Sequence, residues 1–94
     1  MKELHQIIKR PVITEMTTRL MDKENKYVFR VDPAANKREI RQSIETLFNV
    51  EVERVTTMNI RGKIKTYRLR QYGKTANWKK AIVKLKEGYS IDLL

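Results

Sequence analysis

The sequence predicts an α+β protein, with helices packed on a largely antiparallel sheet in the order β-α-β-α-β-β and a long basic loop between the last two strands. Three observations carry this reading. Apolar residues alternate at Tyr27, Phe29 and Val31 and again at Ala81, Val83 and Leu85, the period of half-buried strands. Ile40, Ile44, Leu47 and Phe48 recur at i, i+4, i+7 and i+8, one stripe of a helix. Residues 61–77 show neither an apolar helical period nor an acidic residue. At 94 residues, the chain is expected to form one domain over 1–94, with 61–77 as an arm within it.

The elements follow in order. Leu4 to Ile8 reads as a short edge strand or one helical turn, ended by Pro11. Thr14 is placed to cap a short helix, with Glu15 near its positive end and Met16, Leu20 and Met21 as its apolar residues. Asp22 to Asn25 reads as a polar turn, and Lys26 to Asp32 as a strand closed by Pro33. Asn36 and Glu39 form a capping-box pattern for the second helix, and Asn49 is suited to the left-handed stop. Val50 to Ile60 reads as a long strand with Val50, Val52, Met58 and Ile60 on one face. Arg54 and Val55 break the phase, so a bulge or face change is expected near them. Trp78 to Lys86 is the last clear strand, and Ile91 to Leu94 adds a final extended piece. The 17-residue span between the two long strands is long for a compact domain and reads as an extended hairpin or flexible arm.

Charge separates the chain more sharply than apolar pattern does. The net charge is +10, yet Arg54 to Lys86 holds eleven basic residues and no acid, while the other 61 residues hold ten basic and eleven acidic side chains. So dense a block repels itself until a polyanion neutralises it. Nucleic acid is the expected partner. Arg61, Lys63, Lys65, Arg68, Arg70 and Lys74 alternate with Tyr67 and Tyr72, and Trp78, Lys79 and Lys80 follow. Cations reach phosphates, and aromatic faces stack on unpaired bases.

Other chemistries find little support. There is no Cys, so neither a disulfide framework nor a thiolate metal site is available. His5 is the one imidazole, and no metal site is expected. No phosphate-cradling glycine loop and no serine elbow occur. Glu51 and Glu53 read as a solvated pair on a strand's outer face, not as an acid–base dyad. No enzyme activity and no cofactor are expected. No apolar run approaches the ~20 residues of a membrane span, and the first residues lack the apolar core of a signal peptide. The rival readings are a DNA-architectural protein with a basic β-arm, against which stands the lack of Pro beyond Val50 to serve as a wedge, and an anionic-membrane binder.

Three blocks carry a family resemblance: KRPVITE at 9–15, KYVFRVDPAANKREIRQSIETLFNVEVERVTTMNIRGK at 26–63 and WKKAIVKLKEG at 78–88. They resemble the universal twenty-third protein family of the large ribosomal subunit, in its bacterial form, over nearly the whole chain. The resemblance implies a cytoplasmic, ribosome-bound structural protein that binds rRNA at the exit of the nascent-peptide tunnel. It implies partners in large-subunit rRNA, neighbouring large-subunit proteins and, transiently, trigger factor and the signal recognition particle, with neither DNA nor direct membrane binding. It implies rRNA contacts at Lys9 and Arg10, at Asn36 and Lys37, along the basic loop, and at Trp78, Lys79 and Lys80. Glu15 matches the family's chaperone-docking acid. Two departures stand out. Met16 occupies the place of the family's usual Lys after the T-E pair, and residues 65–70 read KTYRLR where the family pattern is K-R-x-G-R.

Overall fold

The computed structural model describes residues 4–61, 64–67, 71–74 and 77–93, with side chains described for 6–61 and 77–93. Its elements are α1 (Leu4–Ile7), β1 (Ile8–Pro11), α2 (Glu15–Glu24), β2 (Lys26–Val31), α3 (Lys37–Phe48), β3 (Val52–Ile60), β4 (Ile64–Tyr67), β5 (Gln71–Lys74) and β6 (Trp78–Leu85). Four strands form one antiparallel sheet in the order β1-β2-β6-β3, and β4 and β5 form a separate antiparallel pair. The last strand in sequence therefore lies between β2 and β3. This is the expected α+β fold, with the connection between β3 and β6 carrying a hairpin over its described residues.

One face of the sheet holds the core. Tyr27, Phe29 and Val31 of β2, Ala81, Val83 and Leu85 of β6, and Val52 and Val55 of β3 are all buried there. Ile40 and Ile44 of α3 pack against them at 0% exposure, and Phe48 meets Phe29 with ring centroids 5.7 Å apart. Burying a side chain of this size stabilises by roughly 1.5–3 kcal/mol relative to leaving it in water. The Tyr27–Phe29 pair is thus core. Val28, on the opposite face, is also buried, and α2 is the helix in contact with β2.

Both main helices begin and end as their caps dictate. Thr14 N–H donates to Thr17 Oγ1 at 2.7 Å while Thr17 N–H donates to Thr14 Oγ1 at 3.2 Å. Asn36 and Glu39 make the same reciprocal pair at 3.1 and 2.8 Å. Each box satisfies two helix-terminal N–H groups that otherwise lack partners. Asn25 and Asn49 close the two helices with φ of 53°, the left-handed conformation that Asn tolerates.

Several boundaries differ from expectation. Leu4 to Ile8 splits into both alternatives, a helical turn followed by the edge strand, and Pro11 is the last residue of that strand. Asp22 to Glu24 continue α2, because Asn25 supplies the stop. Met16 is 73% exposed. The capping box turns Thr17 inward instead, and Met21, four residues on, packs on the core. In β3, Arg54 pairs with Lys84 and Val55 with Val83, so a bulge at Glu53 changes the face. Val52 therefore shares the core side with Val55, not with Met58 and Ile60. The freed strand backbone is held from α3: Val52 N–H donates to Glu45 Oε2 at 3.0 Å and Arg41 Nη2 donates to the Val52 carbonyl. Ile91 to Leu93 form no strand. Ile91 is buried, and its N–H donates to Tyr27 Oη at 3.1 Å. Leu94 lies outside the described residues.

Candidate nucleic-acid interface

The sheet face opposite Phe29 carries two rows of cations. In the first, Arg10 of β1 stands opposite Arg30 of β2, Arg30 opposite Lys80 of β6, and Lys80 opposite Met58 of β3. In the second, Lys26, Lys84 and Arg54 are likewise adjacent on β2, β6 and β3. Like charges directly opposite across a ladder destabilise by roughly 0.2–1 kcal/mol per pair. The chain offsets this for two of the three cations in the second row: Lys26 Nζ lies 3.2 Å from Glu24 and Lys84 Nζ 3.9 Å from Glu53. It does not in the first. Among the described residues, no carboxylate lies within ion-pair distance of Arg10, Arg30 or Lys80.

An aromatic ring borders this unpaired row. The Arg30 guanidinium carbon lies 5.2 Å from the centroid of the Trp78 ring, a cation–π contact. Two open clefts share Arg10, Arg30 and Trp78. One continues to Lys9, Pro33 and Asn77, and the other to Val12 and Ile13. Lys9 sits at the β1 bulge and is exposed. The arrangement offers fixed positive charge beside a ring and a small apolar lip, on rigid strands.

The residues singled out from sequence distribute as follows. Lys9, Arg10, Trp78 and Lys80 come together around these clefts and the unpaired row. Lys79 faces the other way, and its Nζ donates to the Ala35 carbonyl at 2.5 Å, tying β6 to the start of α3. Asn36 and Lys37 lie exposed at that start, with Asn36 occupied as the cap. Arg61 is exposed just after β3. Lys65 and Tyr67 belong to β4, and Tyr72 and Lys74 to β5, with Lys65 opposite Gly73 and Tyr67 opposite Gln71. Lys63, Arg68 and Arg70 lie outside the described residues. Glu15 is the first residue of α2, largely exposed, and its carboxylate pairs with Arg19 at 3.0 Å. Exposed Ile13 and Met16 flank it.

Sequence reasoning missed Arg30. Strand alternation puts it on the polar face of β2, but only the pairing of β2 between β1 and β6 sets it between two further cations.

Residues 6–93 match the family described as Ribosomal protein L23. The chain belongs to that family. A large ribosomal subunit protein uL23 of Roseiflexus sp. (strain RS-1) is 61% identical over 89 residues, covering 95% of this chain and 93% of that protein. The uL23 protein of Geobacter sulfurreducens is 53% identical over 95% of this chain and 94% of its own length. That of Aquifex aeolicus is 50% identical over 95% of this chain and 88% of its own. The L23 family is one of structural proteins, not enzymes.

Proposed function

We propose that this protein is a structural constituent of the large ribosomal subunit in the cytoplasm, held by rRNA and neighbouring subunit proteins. It binds rRNA at the exit of the nascent-peptide tunnel and offers a docking site for trigger factor and the signal recognition particle. The observation that carries the rRNA reading is the Arg10–Arg30–Lys80 row, which costs the free protein stability and has no carboxylate partner among the described residues. A phosphate backbone supplies the missing anions and releases counterions as it does so. Family membership identifies the polyanion as rRNA. The basic arm over 61–77 adds charge from its own strand pair and reaches along the tunnel wall. Glu15 serves docking from the exposed start of α2, beside the apolar side chains of Ile13 and Met16.

Co-sedimentation tests the assembly claim. The protein is expected to pellet with large subunits through a high-salt sucrose cushion; its recovery in the supernatant rejects the reading. For docking, Glu15→Ala is expected to assemble normally while trigger factor recruitment to the mutant ribosomes falls. Unchanged recruitment removes Glu15 from that role.

A further inference from the structure

We propose that the Arg10–Arg30–Lys80 row and Trp78 form an RNA site on the folded sheet that receives one unpaired nucleotide, with its phosphates on the row and its base against the indole. The proposal rests on the rRNA reading above and specifies a mode of contact within it. Two features separate this site from generic charge. The row sits on three adjacent strands of one sheet, so its cations are held in place before RNA arrives and little ordering is needed on binding. In the second row on the same face Lys26 and Lys84 are offset by Glu24 and Glu53, whereas among the described residues no carboxylate lies within ion-pair distance of the three cations beside the ring.

The ring decides the form of RNA. Base–aromatic stacking needs a base released from its helix, and the wide minor groove of duplex RNA presents no free base face. Trp78 is half-buried and borders both clefts, so its indole is held by the fold yet reachable from solvent. Arg30 lies over the ring and extends the cationic surface to its edge. Such a pair suits a nucleotide better than a carboxylate-bearing peptide, because it offers a flat π-surface as well as positive charge.

Trp78 is the one tryptophan in the chain, so its emission reports on this site in the full-length protein. The probes are a mixed-sequence single-stranded 12-nucleotide RNA and a 12-base-pair RNA duplex. The single strand is expected to quench Trp78 emission saturably, and the duplex to bind with little quenching. Arg10→Gln combined with Lys80→Gln is expected to weaken single-strand binding at least tenfold and to flatten the log–log salt slope by roughly 1.4, two contacts at ~0.7 each. Equal quenching by both RNAs, or no quenching by either, overturns the proposal without recourse to variants. Wild-type affinity in the Arg10/Lys80 double variant overturns it too. If the protein pellets with large subunits while Trp78 emission stays silent, this site is refuted and the rRNA reading stands. Failure to pellet refutes that reading instead.

Discussion

Arg30 lies over the indole of Trp78 at 5.2 Å, although the two residues belong to different strands and stand 48 positions apart in the chain. The contact is a cation–π pair worth about 0.5–1 kcal/mol at an exposed site. Against it stand two like-charged neighbours, Arg10 and Lys80, each costing roughly 0.2–1 kcal/mol. Attraction and repulsion are therefore of similar size. Arg30→Gln is expected to leave folding stability within about 0.5 kcal/mol of wild type, as urea titration measures.

Lys80 carries the repulsion without the ring. Lys80→Thr is expected to stabilise the free protein by about 0.2–1 kcal/mol at low salt, an effect that shrinks as ionic strength rises. Lys84→Thr is the control, since it adds the same strand-favouring side chain but gives up the contact with Glu53. Equal shifts in the two variants show that strand propensity, not the cation row, is responsible.

Asn36→Ala removes the oxygen that accepts from Glu39 N–H. Loss of such a cap costs about 0.5–2 kcal/mol. The urea midpoint is expected to fall accordingly, with faster amide exchange confined first to the opening turn of α3. Asn36→Asp keeps an acceptor at the same position and is expected to restore most of the loss.

The pH dependence has a defined contributor in the Tyr89–Glu51 pair, whose oxygens lie 2.5 Å apart. The hydrogen bond from Tyr89, then the Lys86 charge, holds the Glu51 carboxyl below the ordinary glutamate range. A depressed carboxyl stabilises the fold above its unfolded value, and that contribution is lost as pH falls through the folded value. Donation to Glu51, followed by that carboxylate's charge, pushes the Tyr89 hydroxyl above the ordinary tyrosine range. A raised hydroxyl stabilises below its unfolded value, with loss as pH rises through the folded one. Tyr89→Phe is expected to flatten Tm against pH on both limbs, acid and alkaline. Identical acid and alkaline limbs in wild type and variant rule the pair out as a contributor.

Local chemistry was readable wherever the code is short-range. The Thr14 and Asn36 caps, the Asn49 stop, the α3 stripe and the alternation of β2 and β6 all follow from residues within one or two turns of each other, because helix and strand periods act over a few positions. The imbalance of charge after Arg54 was likewise plain, since it needs only counting. Beyond that range the pattern gave less. Met16 and Thr17 differ by a single helical position, and the capping box decides which of them turns inward. At β3 one bulge residue reverses the side on which Met58 and Ile60 lie. The unpaired row has no local signature at all: Arg10, Arg30 and Lys80 become neighbours only because β1 and β6 both pair with β2, and long-range strand pairing is chosen by the buried faces of all four strands together. That Lys84 meets the Glu53 carboxylate is settled by strand pairing too, and so is the place where the chain presents its unbalanced charge.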